Sequence, residues 1–201
     1  MTRYFSLAAR LAGGVALAAV LAGPLTSVAS AQTDLSNAQI LQGLTATTKD
    51  EPTITAKLLR QMVEAAVSQN TPLDLNKSAV AAQLYKLAQI TVQIQFALDS
   101  AIIRPESYAT IGSIADALHH PILWNYHFLI VGNTDATGTR EHNLKLSQDR
   151  ADAVMQALVT LYRISPARLE AVGLGQEALQ TPATPKDPIN RRVQLFNIGL
   201  E

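Results

Sequence analysis

The sequence predicts an α/β (α+β) fold, a two-layer β-α-β-α-β-β sandwich over residues 89–201. A helical region (32–88) and a leader (1–31) come before it. The stretch Ile90-Thr91-Val92-Gln93-Ile94-Gln95-Phe96 alternates apolar and polar residues, the period of a half-buried strand. Asn143–Tyr162 carries Ala151, Val154, Leu158 and Leu161 on one helical stripe. Strand-like and helix-like segments alternate in chain order, which places the helices on one face of a single sheet.

The leader is the first element to justify. Arg3 and Arg10 are the only charges in residues 1–31, Leu11–Ala22 is almost wholly apolar, and Pro24 follows. Ala29 and Ala31 stand at the −3 and −1 positions before Gln32, so the segment has the plan of a cleavable secretory signal. The apolar run falls short of the roughly 20 residues a membrane span needs, and an uncleaved anchor is the lesser alternative. Taking Arg3 and Arg10 from the sixteen basic residues leaves fourteen against sixteen acids, a formal charge of −2. That balance, with no basic stripe, argues against nucleic acid as a partner. The sequence has no cysteine, so neither a disulfide nor a lipid on an N-terminal cysteine is expected.

Between residues 32 and 88 three helices are expected. Ser36–Leu44 has Ser36 placed as a cap. Thr55–Val67 has Leu58, Leu59, Met62, Val63 and Ala66 on one stripe, and Ser78–Ala88 has Val80, Ala81, Leu84 and Leu87. Lys49-Asp50-Glu51-Pro52 and Asn70-Thr71-Pro72 separate them as turns. These stripes imply packing, on the following domain or on another envelope protein, and carry no chemistry.

After the first strand, Pro105 opens a helix with Tyr108, Ile111, Ile114, Ala115 and Leu118 inward, and Pro121 ends it. Trp124–Val131, rich in aromatic and β-branched residues, is the second strand. Arg168–Gly173 is the third and Arg191–Ile198 the fourth, with Pro182, Pro185 and Pro188 in the loop between them. Right-handed crossovers give the first three strands a common direction.

Asp135 follows the second strand in a turn where Gly138 can take positive φ, and Arg150 lies two turns into the next helix. A carboxylate and a guanidinium on one rim match a ligand bearing both an ammonium and a carboxylate. Each such contact is worth roughly 1.5–3 kcal/mol, which corresponds to affinities of roughly micromolar to millimolar. Spacing alone fits an internal Asp135–Arg150 ion pair as well or better. Arg191 and Arg192 open the last strand, so one of them faces the cleft side and the other does not.

Other chemistries fare worse. Gly173-Leu174-Gly175-Gln176-Glu177-Ala178 matches a dinucleotide fingerprint, but a proline-rich loop follows where a helix must receive the phosphates. His119, His120, His127 and His142 lack metal-ligand spacing, and His119-His120 is expected to cap a helix C-terminus. Ser147, His142 and Asp149 share one helix start, which does not make a triad, and Ser147 is expected to bond within the helix or to a neighbouring loop. Trp124, Tyr126 and Phe128 alternate on a strand and are expected in the core or an interface, with a sugar-stacking platform as the lesser alternative. Neither catalytic residues, a metal nor a cofactor is expected.

Gly132-Asn133-Thr134-Asp135, Gly138, Asn143-x-x-Leu146-Ser147-x-x-Arg150-Ala151 and Asn190-Arg191-Arg192-Val193 resemble the OmpA-like peptidoglycan-binding domain. Phe96–Ala101 fits its first-strand motif and Gly173-Leu174-Gly175 its glycine pair. That family includes the peptidoglycan-associated lipoproteins and the periplasmic part of flagellar stator proteins. The resemblance implies that Asp135 and Arg150 grip the zwitterionic end of diaminopimelate in the wall peptide. It also implies contacts at Thr134, Asn143 and Asp99. The chain departs from the pattern at Asn133 (usually His), at Ala97 (usually an acid) and at Lys186-Asp187-Pro188, where Gly-Arg is common. The expected function is non-covalent tethering to peptidoglycan in the periplasm. The alternatives are an inner-membrane stator or secretion accessory and, last, a wall hydrolase.

Overall fold

The computed structural model describes residues 35–45, 54–71 and 73–200. The expected leader lies outside them, as does the turn at 49–52. Four strands form one sheet: β1 (Gln89–Val92), β2 (Tyr126–Gly132), β3 (Leu169–Gly173) and β4 (Val193–Leu200). Their order is β1-β4-β2-β3. β4 runs antiparallel to both β1 and β2, and β2 is parallel to β3. The first three strands therefore share a direction, as expected, and the last strand inserts between the first two.

Several strand boundaries differ from the expectation: β3 opens at Leu169 and not Arg168, β4 runs Val193–Leu200 and not Arg191–Ile198, and the ends of β1 and β2 move as well. β1 stops at Val92 although the alternation runs on to Phe96. Phe96 instead bridges to Ile103, with Ala97 N–H donating to Ile102 O at 2.8 Å and Arg104 N–H to Gln95 O at 2.9 Å. Local pairing of a short loop with itself satisfies the backbone that the sheet would otherwise take. Trp124 also falls outside its strand and is exposed, because Pro121–Leu123 forms a 3-10 turn that uses up the approach to β2. Within that turn His120 accepts from Ile122 N–H at 3.3 Å. Its side chain thus opens the next turn rather than capping the carbonyls of the preceding helix, as expected from sequence.

The helices are α1 (Asn37–Thr45), α2 (Ala56–Ser68), α3 (Ala79–Leu84), α4 (Tyr108–Leu118) and α5 (Arg140–Thr160). α1 opens with Ser36, whose N–H donates to Gln39 Oε1 at 2.9 Å while Gln39 N–H reaches back to Ser36 Oγ, a reciprocal cap. α5 begins earlier than its apolar stripe suggests because Thr139 Oγ1 caps His142 N–H at 3.2 Å.

β2 explains the rest of the packing. Phe128 and Ile130 face a core built with α1, α4 and α5, while Leu129 and Val131 face a second core. A strand buried on both faces reads as an unbroken apolar run. Leu59, Val63, Val67, Leu75, Ala81 and Leu84 fill that second core against Val172, Leu174 and Phe196. The two-layer expectation covers one face of the sheet, and residues 54–88 add a layer on the other.

Polar contacts fix that layer. Arg140 makes a bidentate pair with Glu177 at 2.9 Å for each bond, and its Nη2 also donates to Thr71 O. Arg60 Nη2 donates to Ala171 O at 2.9 Å, and Gln148 Oε1 accepts from Gly173 N–H at 2.8 Å. Side chains thereby cover backbone groups on the open edge of β3.

Candidate functional site

The site forms where β2 ends and α5 begins. Gly132 and Gly173 are paired in register at the ends of β2 and β3. A Cβ on Gly132 would lie 2.3 Å from Ser147 O, and one on Gly173 would lie 2.1 Å from Gln148 N. Only glycine lets α5 approach so closely, and this approach sets the position of Arg150 one turn further along. Ser147 Oγ completes the seam by donating to Leu144 O and accepting from Gly175 N–H, both at 2.8 Å. It bonds both within the helix and to the loop, and no helix follows Gly175 to receive a nucleotide phosphate.

A cleft of about 490 Å³ opens beside this seam. Asp99, Thr134, Asp135, Asn143 and Arg150 all line it. Phe96, Arg104, His142 and Arg191 join them there.

Asp135 is buried, and its carboxylate is held from two sides. Oδ1 accepts from Thr137 N–H at 2.9 Å in a turn, and Oδ2 pairs with Arg191 Nη1 at 2.6 Å. Burial pushes the carboxyl upward, but the Arg191 and Thr137 hydrogen bonds outweigh it and hold it below the ordinary carboxylate value. Its ion-pair partner is thus Arg191 and not Arg150.

Arg150 is half-buried. Its Nε donates to Ser100 O at 3.0 Å, and its guanidinium lies 4.9 Å from the centre of the Phe96 ring. These contacts hold the plane of the fork, which forms no ion pair among the described residues: Asp99 and Asp135 attract its charge, but their carboxylates pair with His142 and Arg191. Burial, and then the neighbouring Arg191, lower its pKa from the usual arginine value. An incoming carboxylate would offset both effects.

The remaining three residues differ in kind. Thr134 is buried, and its Oγ1 has no hydrogen-bond partner, an arrangement that asks for a ligand or water. Asn143 is buried and donates from Nδ2 to Asp135 O at 3.1 Å and to Gln176 Oε1 at 2.7 Å. It shapes the turn that carries Asp135. Asp99 stands in the left-handed region at φ 49°, its exposed carboxylate 2.6 Å from His142 Nε2. That pair ties the first loop to the start of α5.

Arg191 and Arg192, expected to open the last strand, lie just before β4, and the structure separates them. Arg191 reaches the cleft, whereas Arg192 is buried on the far side and donates to Ala178 O at 2.8 Å and to Asn190 O at 3.3 Å. The preceding loop fixes this phase. Asn190 is fully buried, accepts from Thr181 N–H at 3.0 Å and donates to Thr184 O. Ala136 N–H donates to Pro185 O at 2.8 Å, so the same loop also grips the Asp135 turn. Lys186-Asp187-Pro188 is accommodated there, with Asp187 Oδ1 accepting from Ile189 N–H. Asn133 is turned away from the cleft toward Gln194 Oε1 at 3.3 Å, so its departure from the usual His does not alter the cleft lining. Ala97 does line the cleft, which there lacks the usual acid.

A family model described as the OmpA family matches residues 95–193. The peptidoglycan-associated lipoprotein of Pseudomonas putida is 36% identical over 137 residues, spanning 65% of this chain and 79% of that protein. The chain belongs to the OmpA family. Outer membrane porin F of Pseudomonas fluorescens is 30% identical over 115 residues, 56% of this chain and 34% of the porin. The chain spans only about a third of the porin F proteins it matches. Among solved structures, the peptidoglycan-associated lipoprotein of Burkholderia pseudomallei is 35% identical, with a TM-score of 0.43, over 62% of this chain and 98% of that one. These OmpA-family relatives are envelope proteins.

Proposed function

We propose that this protein binds cell-wall peptidoglycan non-covalently in the periplasm, through the zwitterionic end of diaminopimelate in the stem peptide. One observation carries the reading. A buried carboxylate and a half-buried guanidinium, supplied by separate elements and not paired with each other, line one cleft together with a buried hydroxyl that lacks a partner. The ligand ammonium takes Asp135, sharing it with Arg191. The ligand carboxylate takes the fork of Arg150, and Thr134 Oγ1 bonds to either group. Asn143 and the Asp99–His142 pair hold the walls. Membership of the OmpA family and the name of the lipoprotein relatives support peptidoglycan as the partner. The reading is of binding without bond cleavage, because the buried hydroxyl of Ser147 already holds the α5 seam.

Retention on purified sacculi tests this. Asp135→Ala and Arg150→Ala should each lower retention by roughly tenfold or more, since each removes a charge-assisted contact. Free meso-diaminopimelate should compete for the wild-type protein. Full retention by either folded variant, checked by circular dichroism, would make the pair structural and sink the assignment.

A further inference from the structure

A second cleft, of about 640 Å³, opens at the other end of the sheet. It lies at the start of β2, before β3 and at the end of β4, whereas the Asp135 cleft lies past the other end of β2. Seven residues of strand separate the two, about 20 Å. His119, His127, Arg163 and Arg168 line it, and none of its described lining residues is an acid.

Arg168 forms the floor. Its Nε donates to Tyr126 O at 3.0 Å, and its Nη2 donates to Leu118 O at 3.1 Å and Leu123 O at 2.7 Å. Its guanidinium lies 5.6 Å from the centre of the Phe128 ring. Burial alone accounts for the lowering of its pKa, with no carboxylate opposing it. Carbonyl dipoles and a ring face hold this cation in place but do not neutralise it.

The mouth is amphipathic. Trp124 is 59% exposed and Leu200 65% exposed, both lining the cleft, and Ile122 beside them is 58% exposed. Arg163 stands at the end of α5 with φ 61°, where Ile164 N–H closes the helix onto Leu158 O at 3.1 Å. Glycine is the residue that fits this closing position without strain. Here an arginine occupies it, at a cost of about 1 kcal/mol, and the strain directs attention to what the arginine does.

We propose that this cleft docks the protein on an anionic lipid surface, with a headgroup phosphate seated over Arg168 and Arg163 and with Trp124 and Leu200 entering the interface. Charge complementarity selects the anion, and the exposed indole and aliphatic rim select a lipid source over free phosphate. With the wall cleft at the opposite end of the sheet, one molecule then spans from membrane surface to wall.

The chain from Gln32 onward, which contains both hydrophobic cores, serves for the test. It should sediment with phosphatidylcholine vesicles containing phosphatidylglycerol and stay in solution with phosphatidylcholine alone. Arg163→Gly relieves the strain, so it should raise the Tm while lowering vesicle binding about fivefold or more. Trp124→Ser should weaken vesicle binding as well, and Asp135→Ala should leave it intact while losing sacculi. The proposal is overturned if Arg163→Gly binds vesicles as wild type does, or if both vesicle types behave alike. Chemical-shift changes with inorganic phosphate, without vesicle retention, would mark a free-anion site and overturn it equally.

Discussion

Asp135 is a carboxylate whose charge is maintained by its neighbours against its burial. Desolvation raises its pKa, while Arg191 and Thr137 lower it further than burial raises it. The folded-state value therefore lies below the unfolded one. The charged form stabilises the folded cleft at any pH above the unfolded value, and that contribution is lost as pH falls through the folded value. Arg191→Ala leaves burial opposed by Thr137 alone, so the carboxyl must titrate higher. The acid limb of sacculus retention, and the Asp135 Cγ titration followed by NMR, should both move to higher pH in that variant. An unmoved limb would mean that Arg191 does not set the charge. Residue type and spacing made Asp135 and Arg150 legible in the sequence, and the resemblance supplied Thr134, Asn143 and Asp99. Arg191 was not separable from Arg192. The phase of β4 depends on how the buried Asn190 anchors a loop that has no periodicity of its own.

At the scale of elements, the site depends on how closely α5 lies against β2 and β3. The sequence showed α5 plainly, since its apolar stripe is long, and it showed Gly132 and Gly173 only as motif members. That both glycines are there for backbone approach follows from the packing, where an added Cβ would meet Ser147 O or Gln148 N well inside contact distance. Gly173→Ala must push α5 outward, because the obstacle is backbone and not a side chain that can rotate. The expected loss is about 3 kcal/mol, or a Tm lower by about 6–12 °C in calorimetry. Sacculus binding should fall with it even below the melting range, because Arg150 moves with the helix. A Gly173→Ala protein as stable as wild type would show that the seam tolerates a methyl group and that the position of α5 has another cause. Among the boundaries that sequence placed wrongly, Phe96 lies where a short loop pairs with itself and Trp124 ends a 3-10 turn, and each takes residues from a strand of suitable composition.

At the scale of the whole molecule, the helical segment at 54–88 is a layer of the domain. Sequence reading left it between docking on the domain and reaching a partner, because an amphipathic stripe does not name what it faces. The clue was in β2, whose unbroken apolar run requires cover on both sides. Leu59 is the sharpest probe of that layer. It is fully buried in the core that holds Leu129, Val131, Val172 and Phe196, yet it lies far in sequence from the cleft and contributes nothing to its lining. Leu59→Ala removes buried methyl groups and leaves a cavity, a loss of about 2–5 kcal/mol. If α2 and the sheet share one core, this loss lowers a single cooperative transition for the chain from Gln32 onward. Sacculus retention then declines along the same melting curve and not ahead of it. The Arg140–Glu177 pair, which bonds to Thr71 O on one side and opens α5 on the other, gives the two regions a direct polar link as well. Two separate transitions in calorimetry, with binding lost only in the second, would show instead that the helical layer unfolds by itself and that the sheet stands without it.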